Sequence, residues 1–171
     1  MNPFKFGMIG STDSHTGFAT ARESNFWGKM AMDQPSRFRA ERSSIYSAAG
    51  YAAVWAKENT RQAIFAAMKR REVYATTGPR IRVRFFGGWG YLASDAFRPN
   101  LAEVGYRKGV PMGGDLVQQG DNRVPSFLIS ATREPGGANL DRVQVVKGWR
   151  DKKGDLHEKV YDVACRSSRV L

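Results

Sequence analysis

The sequence is poor in the residues that form crosslinks or span membranes. Its 171 residues include one cysteine, Cys165, and two histidines, so an internal disulfide is excluded and each histidine stands out. No run of roughly 18 apolar residues occurs, which excludes a transmembrane helix of ordinary length. The N-terminus lacks a charged leader followed by an apolar core, so no signal peptide is predicted and the compartment stays open.

Acidic residues are also scarce. The sequence contains 16 Asp or Glu and 27 Lys or Arg. The resulting net charge is +11, and most of the excess lies in the first half of the chain. A basic half can attract a small anionic or phosphorylated substrate, or nucleic acid. A solvated basic surface explains the same charge, and Lys69 to Arg71 fit the last turn of a helix. Nucleic-acid binding is therefore not favoured, and the oligomeric state cannot be derived.

The N-terminal stretch contains the first candidate site. Phe4 to Ile9 is mostly apolar and predicts a short buried strand, and Gly10 to His15 predicts the turn that leaves it. Functional groups collect at the carboxyl ends of parallel strands. Asp13 and His15, two residues apart, would lie on one side of an extended chain there. A carboxylate and an imidazole are both ligands for zinc, manganese or iron, so the pair is a candidate metal site.

Two simpler interpretations of the same pair stay open. Asp13 is a residue type that caps helices and turns. His15 would then be an ordinary surface histidine, because a carboxylate and a histidine at this spacing are a weak metal signal by themselves.

A second candidate site follows from an alternating segment. Arg80, Arg82 and Arg84 alternate with apolar residues between positions 80 and 85. The pattern predicts a strand with its apolar side chains towards a core and its three arginines towards solvent or a partner. The arginines are possible anion or substrate contacts, and they are equally well explained as edge charges that discourage aggregation.

The remaining pattern predicts an α+β chain in two parts. Residues 16–42 read as a long loop with at most one short helix, 43–58 as a short helix or helix-like turn, 59–71 as a helix capped by Asn59, and 73–77 as a strand. Three β-like segments follow at 125–131, 139–149 and 158–164, which suggests a small antiparallel β-sandwich. The predicted organisation has four segments: 1–92 is the first part, 93–110 a polar linker, 111–164 the β-rich part, and 165–171 an irregular tail.

Several stretches resemble one bacterial family. The segment Ile9 to His15 looks like the last metal-binding motif of the PHP (polymerase and histidinol phosphatase) superfamily, in which a strand ends in Ser-Asp-x-His or a close variant. More specifically, the chain resembles the PHP-like family called domain of unknown function 3604. The resemblance is carried by these segments: Phe6 to Gly17, Asn59 to Gly78, Arg84 to Trp89, Pro111 to Leu116, and Asn139 to Trp149.

The resemblance implies a metal-dependent hydrolase of phosphoesterase type, in which divalent zinc, manganese or iron activates water. It carries over Asp13 and His15 as metal ligands, whereas the early His-x-His of the superfamily has no counterpart here. A (β/α) barrel needs about 200 residues or more, so the bulk of a PHP-like barrel would precede Met1. The chain is therefore expected to be a C-terminal fragment, the remnant of a barrel end, and to be inactive alone because two ligands hold a catalytic metal poorly.

Two other functions remain open. The β-rich part is also compatible with a non-catalytic binding module, since sandwiches often have such roles. The basic half is compatible with a nucleic-acid-binding protein.

Overall fold

The described residues form three small antiparallel sheets and two α-helices. The structure is a computed structural model that describes residues 5–15, 17, 29, 49–118 and 123–165. The strand orders are β1-β2, β4-β3-β5 and β6-β7. The fold is thus α+β, as the sequence predicts. The predicted loop at 16–42, apart from Gly17 and Lys29, and the tail beyond Cys165 lie outside the described residues.

The first sheet pairs β1 (Tyr51–Val54) with β2 (Val73–Thr76) around helix α1 (Arg61–Lys69). The helix begins one residue later than the pattern suggests. Its N-cap is Thr60, whose hydroxyl accepts a hydrogen bond from the Ala63 amide at 3.2 Å. Asn59 and Thr60 are both capping residue types, so the cap prediction was wrong by one position while the helix prediction is confirmed.

Helix α1 ends in a Schellman motif that places a carboxylate at the start of β2. The Arg71 amide donates to Met68 O at 2.9 Å, and the Glu72 amide donates to Ala67 O at 3.1 Å. Arg71 takes the left-handed conformation, with φ 64°, that glycine usually supplies at this position. The chain reverses there, and Glu72 returns to the interior with 3% of its surface exposed.

The second sheet has β3 (Arg82–Gly88) at its centre, between β4 (Gly109–Pro111) and β5 (Ser126–Thr132). The strand predicted for the arginine segment is confirmed, but its predicted facing is wrong: Phe86, its most buried side chain, shares a face with Arg82 and Arg84, whereas Val83 and Phe85 on the other face are only half-buried. Phe86 and Leu128, which pair across β3 and β5, are both buried. This sheet and the helix against it form the centre of the small hydrophobic core.

The segment 93–110, predicted to be a polar linker, is helical. A 3-10 turn covers Ala93–Phe97, and helix α2 covers Leu101–Lys108. The sequence did not indicate this helix because α2 is short and contains Gly105, which reads as a helix breaker; the role of the segment as a linker remains a prediction. Gly105 is required by packing: a Cβ there would lie 2.5 Å from the Phe86 ring. The helix can therefore rest directly on the buried face of β3.

The third sheet is a hairpin of β6 (Arg142–Arg150) and β7 (Leu156–Cys165). The strands are joined by a turn through the sequence Asp-Lys-Lys-Gly, which ends at Gly154 with φ 98°. Val143 and Val145 are half-buried at the base, and most of the remaining hairpin is exposed. The predicted strands are thereby confirmed, whereas the sandwich and the barrel remnant remain predictions. The division into two domains also remains a prediction, although the β3–β5 pairing runs across its boundary.

Two predictions in the first part of the chain were wrong. Lys5 to Gly10 is not a buried strand: Phe6, Met8 and Ile9 are exposed. The backbone instead packs closely against the first sheet at Gly10. A Cβ there would lie 2.9 Å from Tyr51 O, so this close approach requires glycine. The helix predicted at 43–58 is also wrong for its described residues, because 51–54 form β1. Pairing with β2 overrides a weak helical preference there.

The first two sheets are joined by hydrogen bonds from two aromatic side chains. Trp55 Nε1 donates to Val83 O at 2.8 Å, and the Tyr74 hydroxyl donates to Ile81 O at 3.0 Å. Both acceptors lie at the start of the arginine segment. These bonds fix where the predicted anion contacts stand relative to the first sheet.

Candidate functional site

The loop at Asp13 and His15 is built by short-range hydrogen bonds. The Asp13 amide donates to Ser11 Oγ at 3.3 Å, and the Ser14 amide donates to Thr12 Oγ1 at 3.3 Å. Asp13 itself is left-handed, with φ 54°, a conformation that aspartate tolerates better than most residues. The loop therefore presents its carboxylate from a constrained turn, not from an extended strand.

The His15 ring is oriented by the main chain of Asp13. Nδ1 lies 2.9 Å from Asp13 O, and a carbonyl oxygen only accepts, so Nδ1 must carry the proton. The neutral ring then has its lone pair on Nε2. A backbone carbonyl holding one ring nitrogen is the usual way in which a metal-binding histidine presents the other.

Lys29 closes the same loop and was not identified from the sequence. Its carbonyl accepts a hydrogen bond from the His15 amide at 2.7 Å, and its ammonium donates to Thr12 O. Only 6% of Lys29 is exposed. No periodicity or motif marks this lysine, because its partners Thr12 and His15 lie 17 and 14 residues away in the sequence.

The three arginines predicted as anion contacts separate in the structure. Arg80 lies before β3, with its guanidinium 5.9 Å from the Tyr51 ring centroid. Arg82 and Arg84 lie within β3, on one face of the sheet. Since Arg80 has a different environment, the three do not form a single row.

Arg84 belongs to a polar cluster whose centre is the buried carboxylate of Glu72, while Arg70 and Tyr106 reach it from the surface. The guanidinium stacks on Trp55, with Cζ 3.3 Å from the ring centroid, and Nη1 lies 3.6 Å from Glu72 Oε1. Arg70 Nη2 donates to Glu72 Oε2 at 3.2 Å. The Tyr106 hydroxyl also donates to Glu72. Two arginines therefore share one buried carboxylate at the junction of the two sheets.

The cluster also fixes the protonation of its tyrosine. Burial raises the pKa of Tyr106, and the hydrogen bond to Glu72 raises it further, while Arg84 opposes the shift. The hydroxyl stays protonated at neutral pH and remains a donor to the carboxylate. Sequence reasoning missed this cluster because its members come from four separate segments.

Two further residues of metal-ligating type, Asp115 and His157, make other contacts. Asp115 accepts a hydrogen bond from Lys5 Nζ at 2.7 Å, which lowers the pKa of its carboxyl. His157 Nε2 lies 2.9 Å from Asp151 Oδ2 in the third sheet. Among residues 5–15, 17, 29, 49–118 and 123–165, no three His, Cys, Asp or Glu side chains are grouped to hold a metal ion.

The chain is an α+β protein with a constrained Asp-x-His loop and a buried arginine–carboxylate cluster. A family model described as "Protein of unknown function (DUF3604)" matches residues 1–171. The chain therefore belongs to this family, as the resemblance predicted. It matches no curated protein and no solved structure. In the described part of the chain, no helix is long and apolar enough to cross a membrane.

Proposed function

We propose that this chain supplies part of the metal site of a metal-dependent hydrolase of phosphoesterase type. The observation that carries the proposal is the His15 ring, whose protonated Nδ1 is fixed on Asp13 O so that Nε2 keeps its lone pair. Asp13 adds an exposed carboxylate from the same turn. An oxygen and an imidazole nitrogen form a donor set that suits zinc, manganese or iron.

Two side chains make only part of a catalytic donor set, which usually has three protein ligands and one open position. The described residues contain no group of three or more candidate ligands. The remaining donors would come from outside the described residues. When bound, the metal would supply Lewis acidity and lower the pKa of a water.

The chain's own residues have separable roles in this proposal. His15 and Asp13 bind the metal, and the Asp13 carbonyl orients the imidazole ring. Lys29 holds the loop closed through both its carbonyl and its ammonium. The net charge of +11 would attract an anionic substrate over a distance set by the ionic strength.

Metal affinity of the whole chain tests the proposal. Titration calorimetry with Zn²⁺ and Mn²⁺ should show binding that falls at least about tenfold in His15→Gln, since even loss of an outer hydrogen bond around a metal costs that much. Asp13→Asn should show a similar loss. His157→Gln is the matched control, because it removes the other histidine from a separate sheet.

Three outcomes would contradict the proposal. They are no metal binding by the parent chain, unchanged binding in both loop variants, and an equal loss in the His157→Gln control. Hydrolysis of a chromogenic phosphomonoester with added Mn²⁺ is a second readout. Activity that survives both loop substitutions would exclude this loop as the metal site.

A further inference from the structure

A cleft beside the buried cluster has the donors of an oxyanion site. Trp55, Arg82, Arg84, Ser130 and Thr132 line a space of about 200 Å³. The register of β3 and β5 places Arg82 opposite Thr132 and Arg84 opposite Ser130. Directly opposed residues share one face of a sheet. Two guanidinium groups and two hydroxyl groups therefore surround one cleft.

Most of these donors are uncommitted. Both polar contacts of Arg84, to Tyr106 and Glu72, use Nη1. Within the described residues, its Nε and Nη2 make no hydrogen bond, and neither do the side chains of Arg82, Ser130 and Thr132. A guanidinium offers five N–H donors in a planar fork, so both arginines keep donors for a ligand.

The local charge favours an anion. Glu72 is shared between Arg70 and Arg84, which leaves the cluster with one excess positive charge. Arg82 adds another, and none of the five residues lining the cleft is acidic. Arg84 is also held in place, since its Cζ lies 3.3 Å from the Trp55 ring centroid and its Nη1 contacts Tyr106 and Glu72. A fixed, partly desolvated guanidinium binds an oxyanion without first losing much side-chain freedom.

We propose that this cleft binds a tetrahedral oxyanion, either free phosphate or the phosphoryl group of a small phosphomonoester. Two guanidinium forks and two hydroxyls match an anion with at least three acceptor oxygens and two negative charges. The cleft is smaller than the roughly 300 Å³ at which pockets for drug-sized ligands begin. It holds the phosphoryl group, and the rest of an ester would extend beyond it. The site shares no residue with the Asp13 loop and stands independently of the metal proposal.

Calorimetric titration of the whole chain with inorganic phosphate, in the presence of EDTA, tests the site. Arg82→Gln should lower the affinity at least about tenfold, as expected for a lost charge-assisted hydrogen bond. Ser130→Ala should lower it by a smaller factor, at least about threefold, because it removes one hydrogen bond but no charge. Arg107→Gln is the charge-matched control on an exposed helix face, and its affinity should stay within about twofold of the parent.

Further titrations separate the possible ligands and the possible failures. Tighter binding of phenyl phosphate than of phosphate identifies an ester ligand, and equal binding identifies the free ion. No phosphate binding by the parent, the same loss in Arg107→Gln as in Arg82→Gln, or acetate binding as tight as phosphate would overturn the proposal. His15→Gln should leave phosphate affinity unchanged under these conditions, so failure of the metal proposal remains distinguishable.

Discussion

Replacing Glu72 with Gln should weaken the fold and tighten anion binding at the same time. The side chain is buried and contacts Arg70, Arg84 and Tyr106. Gln keeps the size and an acceptor oxygen but removes the charge that both guanidinium groups share. The free energy of unfolding should fall by about 1 to 3 kcal/mol, the range for hydrogen bonds to a charged group. For a chain of this size that corresponds to roughly 2 to 12 °C in Tm.

The gain in affinity follows from the removed repulsion. Glu72 Oε1 lies 3.6 Å from Arg84 Nη1. An anion bound to the opposite edge of that guanidinium would lie roughly 8 Å from the carboxylate, where like charges repel by about 0.5 kcal/mol in water and about 2 kcal/mol at an effective dielectric constant of 20. Glu72→Gln should therefore bind phosphate about 2- to 30-fold more tightly.

Calorimetry measures the affinity, and thermal unfolding followed by circular dichroism measures the stability. Glu103→Gln is the matched control, because it removes the same charge from an exposed position on α2 and should alter neither value. A folded Glu72→Gln variant with weaker phosphate binding would refute the reasoning. Unchanged Tm would show that the carboxylate does not stabilise the junction.

Two further predictions concern the core and its pH dependence. Gly105→Ala should lower the free energy of unfolding by about 1 to 2 kcal/mol in chemical denaturation, because a Cβ 2.5 Å from the Phe86 ring overpacks the core by more than the gain in helix propensity. Gly90→Ala, with nothing within 4 Å, should not destabilise, and equal losses in both would contradict this view. The pKa of Asp95 is lowered from its usual 3.8, chiefly because the Leu92 amide donates a hydrogen bond to the carboxylate. The ionised carboxylate therefore stabilises the fold above about pH 4, and this stabilisation is lost as the pH falls further. In Asp95→Asn, the free energy of unfolding should therefore fall less steeply between about pH 4 and lower pH than in the parent. The same dependence on pH in both proteins would show that Asp95 does not stabilise the fold in this way.

The predictions that succeeded rest on local periodicity. The strand through Arg82 and Arg84 is confirmed as β3, and the helix before it is confirmed as α1. The period of two places both arginines on one face, but it does not determine which face the core covers, and the buried Phe86 lies on the arginine face. The N-cap was misplaced because Asn59 and Thr60 both satisfy the capping preference, and the surrounding packing decides between them.

The predictions that failed depended on distant contacts. Gly105 looked like a helix breaker, but the Phe86 ring requires a residue without a side chain there. Apolar Phe6, Met8 and Ile9 looked like a buried strand, yet they are exposed. The α+β class was predictable from the mixture of patterns, whereas neither case could be judged without knowing which segments lie against each other.

The candidate sites divide in the same way. Asp13 and His15 were identified from residue type and spacing, and their role in metal binding remains a prediction. The two arginines of the cleft, Arg82 and Arg84, were identified from the sequence as possible anion contacts. Ser130 and Thr132 were not, because they lie on β5, which pairs with β3 from far away in the sequence. Glu72 gave no signal at all, since an isolated glutamate after a basic triplet resembles an ordinary surface charge.

Arg84 lies both at the junction of the first two sheets and in the wall of the cleft, so ligand binding in the cleft is coupled to the stability of the junction. Its guanidinium helps to hold the two sheets together through Trp55 and Glu72, and it also forms a wall of the cleft. A ligand at a hundredfold excess over its Kd would add about 2.7 kcal/mol to the native state. Since the arginine lies at the junction of the two sheets, a ligand in the cleft would stabilise the junction as well, unless a substitution such as Glu72→Gln also changes the charge that the ligand meets.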